Sequence, residues 1–101
     1  TAIVGSQVFH MFIPDAAITV TSIRHAAVGG TSLAWTLVSG AAINSTTTTV
    51  ESGTASSPTP TLDSSMSGTA AVSAGNCVNL SIGTVTGSVT QFTINVYYTE
   101  N

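Results

Sequence analysis

Along most of this chain apolar and polar residues alternate with a period of two, the spacing of a β-strand and not the 3.6 of a helix. Val8, His10 and Phe12 interleave with Phe9, Met11 and Ile13, a run apolar on both faces, which predicts a strand covered on both sides. Pro14-Asp15 ends it. Ile18 and Val20 share one face of the next run, and the phase then slips at Thr21-Ser22-Ile23, as it does at a β-bulge. Gly29-Gly30 predicts a turn. After it Leu33, Trp35 and Leu37 alternate cleanly with Ala34 and Thr36.

From Gly40 to about Ser67 the alternation fades. Thr46-Thr47-Thr48-Thr49-Val50 predicts an edge strand with a hydroxyl face, and Ser52 to Pro60 predicts a loop rich in Ser, Thr, Pro and Gly. Pro58 and Pro60 cannot donate to a ladder, which excludes a central strand there. Leu62 and Met66 anchor a short return strand. Ala70 to Val72 is a further short strand, and Ala74-Gly75-Asn76 a turn. Val78, Leu80 and Ile82 then alternate up to the turn at Thr86-Gly87-Ser88. Phe92, Ile94, Val96 and Tyr98 alternate with Thr93, Asn95, Tyr97 and Thr99 in the last strand, so the C-terminal third predicts a β-hairpin. Helix formers are scarce, while Thr, Val, Ile and Ser abound. About seven to eight short strands in one domain over residues 1–101 predict an all-β fold, an antiparallel β-sandwich or jelly roll.

Charge changes the picture most. Asp15, Arg24, Glu51, Asp63 and Glu100 are the only charged residues among 101, while 43% of the chain is hydrophobic and 32 residues are Ser or Thr. An ordinary soluble domain carries roughly a quarter charged residues, and a small monomer uses them to stay dispersed. A neutral hydroxyl surface suits a chain packed against copies of itself. A domain of this size is marginal alone, and Cys77, the one cysteine, cannot form a disulfide within the chain, so oligomerisation is the expected source of added stability. With one Arg, no Lys and a net charge of −3, the chain lacks the cations that phosphate binding needs, which excludes nucleic acid and a polybasic membrane contact. Its apolar runs fall well short of a spanning helix, and no charged leader with an apolar core is visible.

Three stretches carry a resemblance: Ile23-Arg24-His25-Ala26-Ala27-Val28-Gly29-Gly30-Thr31-Ser32-Leu33-Ala34-Trp35-Thr36-Leu37-Val38-Ser39-Gly40, then Ala74-Gly75-Asn76-Cys77-Val78-Asn79-Leu80-Ser81-Ile82, then Gly87-Ser88-Val89-Thr90-Gln91-Phe92-Thr93-Ile94-Asn95-Val96-Tyr97-Tyr98-Thr99-Glu100. Together they resemble small all-β domains of tailed-bacteriophage virion proteins, of the capsid-decoration or fibre-head type. The Thr/Ser-rich middle matches only in composition. The resemblance implies a homotrimeric β-sandwich on the virion exterior, packed on itself and on other virion proteins such as capsid or tail subunits. It implies no catalytic residues. Under it, the Asn44-Ser45-Thr46 and Asn79-Leu80-Ser81 glycosylation patterns are coincidences of a hydroxyl-rich chain.

Candidate chemistry is sparse. His10, His25 and Cys77 have no ligand-like spacing for a metal, and two unrelated strand histidines are the plainer expectation. No Gly-x-Ser-x-Gly elbow positions a nucleophile. Asp15 and Asp63 lie in turn-like segments, which favours turn formation over a carboxylate pair. Cys77 reads as an inert, partly buried thiol. No catalytic residue, metal or cofactor is therefore expected. Trp35, Tyr97, Tyr98 and Arg24 are the candidate interface or glycan contacts. Trp35 shares a face with Leu33 and Leu37, which favours the core or a subunit interface over a sugar platform. Arg24 is expected to pair with a carboxylate. A structural trimer hides Trp35. A receptor- or carbohydrate-binding fibre tip instead exposes at least two aromatics side by side, toward host surface glycan. A pilus or adhesin subunit needs an unpaired groove or a donor strand, for example Ala2 to Ile13.

Overall fold

A computed structural model describes residues 2–101, and Thr1 lies outside the described residues. Eight strands follow in order: β1 (Val8–Phe12), β2 (Ile18–Gly29), β3 (Ser32–Gly40), β4 (Thr48–Ala55), β5 (Thr61–Asp63), β6 (Ala71–Val72), β7 (Cys77–Thr86) and β8 (Val89–Glu100). All pairings are antiparallel. One sheet has the order β1-β7-β3-β4. In the other, β2 is central, with β8 along one side and β5 and β6 along the other. The fold is the all-β antiparallel one that the alternation predicts.

The alternation sorts the two faces. Ile18, Val20, Ile23 and Ala27 of β2, Leu33, Trp35 and Leu37 of β3, and Val78, Leu80 and Ile82 of β7 are all buried in one core. The phase slip in β2 is a register shift between Val20 and Ser22. It keeps Ile23 and His25 on the inner face after Val20.

Strand β1, expected to be covered on both sides, is a sheet edge with Val8 and Phe9 exposed. Two further expectations need correction. The predicted C-terminal hairpin does not form, because β7 and β8 belong to different sheets. Each has an apolar face to bury. A hairpin would set the two strands side by side, whereas a sheet-to-sheet arch turns those faces toward each other. The Gly29-Gly30 turn between β2 and β3 is also such an arch. The two arches touch: Thr31 N–H donates to Thr86 O at 2.8 Å, and a Cβ on Gly87 would lie 2.8 Å from Gly30 Cα. The second correction is at Ser52–Ala55, which continues β4 and is not loop. Its inward positions opposite Leu37, Trp35 and Leu33 are Glu51, Gly53 and Ala55. They are small or polar because Trp35 fills the space, a Cβ on Gly53 falling 2.7 Å from its ring. A strand without large apolar residues looks like a loop in sequence.

The two long sides of the sandwich differ. On the β4 side the chain stitches the sheets together: Gly68 and Thr69 donate to Val50 O and Thr49 O, and Val20 N–H donates to Ala70 O. On the opposite side β1 and β8 border an open groove lined by Ile3, Phe9, Met11, Leu80, Phe92 and Ile94. There the sheets are joined by Ile3 N–H donating to Val89 O at 2.8 Å and by the stacked rings of Phe12 and Tyr98, 5.8 Å apart.

Candidate functional site

Two of the buried polar residues, Glu51 and His25, lie near the β4–β5 seam. The alternation of β4 turns Glu51 inward, where it is 3% exposed. One of its oxygens accepts from Ser52 N–H at 3.0 Å, Ser67 N–H at 3.2 Å and the Ser67 hydroxyl. The Asp63 carboxyl hydrogen-bonds it as well. Burial pushes the Glu51 carboxyl up, but the bonds from Asp63, Ser67 and Ser52 together outweigh burial and hold it below the ordinary value. The bond to Glu51, and then burial, push Asp63 above its ordinary value. Asp63 also makes the turn expected of it, accepting from Ser65 N–H at 3.2 Å. His25 lies on the inner face of β2, and burial lowers its pKa against the opposing pull of Asp63. Its ring sits 5.3 Å from that of Trp35. Among the described residues the buried Trp35 Nε1–H has no partner. The hydrogen bonds of this seam form a strut between the sheets.

Of the four residues singled out in the sequence, Arg24, Tyr97 and Tyr98 lie on the β2–β8 ladder and Trp35 lies in the other sheet. Trp35 is 1% exposed and offers no ring to a glycan, which corrects its candidacy as a surface contact of this fold. Tyr97 and Tyr98 are 43% and 48% exposed. As neighbours on one strand they point to opposite faces, so they do not form a side-by-side platform. Tyr98 stacks on Phe12. Arg24 faces Leu62 on β5 and Asn95 on β8, and the carboxylate expected to pair with it is not across either ladder.

A feature that sequence reasoning missed lies at the far end of β1. His10 pairs with Asn79 across the β1–β7 ladder, and its Nδ1 lies 3.1 Å from Asn79 Oδ1. Asn79 stands on the outer face of its sheet yet is 1% exposed, because the segment after β3 folds back over it. Its Nδ2 donates to Ile43 O at 3.0 Å and to Thr46 Oγ1 at 3.2 Å. Beside this pair is a cleft of about 280 Å³ lined by His10, Met11, Phe12, Ile13, Ile43 and Cys77. The only signal in the sequence was a polar Asn inside an apolar strand. That Ile43 covers it is a long-range contact with no local mark. Among the described residues no group of three or more His, Cys, Asp or Glu is placed to hold a metal ion.

Compared with known proteins, the chain matches no family model, no curated protein and no solved structure.

Proposed function

We propose that this chain is a non-enzymatic structural protein of a bacteriophage virion, acting as a homotrimer that cements the capsid exterior or forms the head of a short fibre. The observation that supports self-packing most is the open side of the sandwich. The outer edge of β8 runs from Val89 to Glu100, with Ile3 its one backbone partner among the described residues. Edge strands of monomers are guarded by charges, prolines or bulges. Between Val89 and Thr99 this edge has no charge and no Pro. Beside it, in the groove, Phe9 is 43% exposed, and elsewhere on the same N-terminal segment Val4, Val8 and Ile13 are each more than half exposed. Apolar surface gathered along an unpaired edge marks a protein interface. With five charges in the chain, contact between copies desolvates little. The resemblance to phage virion domains supplies the setting.

Light scattering across dilution tests this reading. The expected result is a constant trimer mass for the wild type. A Thr93→Lys/Asn95→Lys double variant, which places charges on the outward face of β8, is expected to be a folded monomer. A folded wild-type monomer at every concentration overturns the proposal.

The same groove favours, as a second reading, a pilus or adhesin subunit that accepts a strand from its neighbour. Open-ended growth of mass with concentration, in place of a closed trimer, is its expected mark. A carbohydrate-binding fibre tip gains less support, since Trp35 is buried and the two tyrosines diverge.

A further inference from the structure

The cleft beside His10 has a single polar function whose direction the structure determines. Both Nδ2 hydrogens of Asn79 are used, on Ile43 O and Thr46 Oγ1. The oxygen of that amide therefore faces His10, and an amide oxygen only accepts. In the neutral ring the hydrogen is then on Nδ1, and Nε2 is left as a bare acceptor. Besides His10 and Asn79, the lining groups are Met11, Phe12, Ile13, Ile43, Val78 and the Cys77 thiol. Ile13 and Ile43 stand at its rim, 58% and 51% exposed, and gain by being covered. A volume of about 280 Å³ falls just under the range of whole-ligand sites, roughly 300–1,000 Å³. It suits one ring carrying one hydrogen-bond donor.

We infer that this cleft is a phenol-binding site, and that its occupant is Tyr97 of a second copy, the phenol O–H donating to His10 Nε2. The chain has two phenols. Tyr98 is engaged, stacked on Phe12 of its own chain. Tyr97 points to the opposite face of β8 and is 43% exposed, and an amphipathic ring of this kind seeks an apolar slot with a polar end. Donor and acceptor lie on different sheets, Tyr97 on β8 and His10 on β1. Both strands border the same open side of the sandwich, so the contact is open to reciprocal pairing of two copies as well as to a head-to-tail ring. This inference rests on the self-packing reading and adds a second contact to the β8 edge.

The test uses p-cresol as the free probe and light scattering for assembly. Chemical-shift titration is expected to place p-cresol against Ile43 and Ile13. His10→Phe, which removes the acceptor, is expected to weaken binding roughly three- to tenfold, and His10→Gln, which restores one, to recover most of it. Toluene, which lacks the donor, is expected to bind wild type and His10→Phe alike. Tyr97→Phe keeps the ring and the exposed position, and is expected to weaken self-association by a similar factor. Excess p-cresol is expected to compete with assembly. If Tyr97→Phe assembles like the wild type, the inference is overturned while the self-packing proposal stands. Absence of p-cresol binding also overturns it. If no assembly occurs in any variant, the self-packing proposal itself fails.

Discussion

Contact between Asp63 and Glu51 shifts the two carboxyls in opposite directions, and the response of the fold to pH follows from those directions. Asp63 is raised by its bond to Glu51 and by burial. Its contribution is complete below the ordinary Asp value, about 3.9, and is lost as pH rises through the raised one. Glu51 is held low. Its contribution is present above the ordinary Glu value, about 4.3, and is lost as pH falls through the lowered one. His25 is also lowered, so burying it neutral costs nothing above about 6.5 and opposes folding increasingly as pH falls below that. Asp63→Asn keeps a donor toward Glu51 at every pH. Its urea midpoint is expected to exceed the wild type at pH 8, by about 1 kcal/mol of stability, and to lose that advantage near pH 4. A wild type more stable than Asp63→Asn at pH 8 would show that the contact with Glu51 does not raise Asp63. At the same scale, Gly53 shows how one missing Cβ makes room for the Trp35 ring.

At the scale of elements, the arches decide the topology. Gly87 and Gly75 have the same φ of +79°, a backbone region that costs a residue with a Cβ roughly 1–2 kcal/mol. Their surroundings differ. A Cβ at Gly75 meets nothing within 4 Å, whereas one at Gly87 meets Gly30 Cα at 2.8 Å and Thr31 N at 3.1 Å. Gly75→Ala is expected to lose only the conformational cost. Gly87→Ala is expected to lose roughly a further 1–3 kcal/mol, read as the difference between the two urea midpoints. Equal losses would mean that the arches are not pressed together. The strand pattern also explains why the hairpin expectation failed. Alternation and a Gly turn are common to a hairpin and an arch. What separates them is whether the second strand finds its ladder beside the first or across the core. For β8 that ladder is the length of β2, from Ile18↔Glu100 to Gly29↔Val89.

At the scale of the whole molecule, the scarcity of charge bears on the proposed contact between copies. Salt screens exposed charges but leaves apolar contact intact, and sulfate strengthens it. The association constant of the wild type is expected to change less than about threefold between about 0.05 and 1 M sodium chloride, and to rise in sodium sulfate. Steep weakening by chloride, measured by the same dilution experiment, would mean that ion pairs hold the copies together. The asymmetry of the sandwich points the same way. Its β4 side is stitched by Gly68, Thr69 and Ala70, and its β1–β8 side is left open.

The sequence by itself determined the all-β class, most strand positions, the bulge after Val20 and the inward set from Ile18 to Ile82. These rest on a period of two and on turn residues, both of which are local. It also carried the neutral surface, which is composition. Tertiary structure alone decided the rest. Which strands share a ladder, that Glu51 meets Asp63 twelve positions on, that Trp35 is enclosed, and that Asn79 is covered by Ile43 and orients His10 all depend on contacts between residues far apart in the chain. Burial energy is indifferent to which apolar partner supplies it, so the same pattern is compatible with several pairings, and only closure of the whole core selects one.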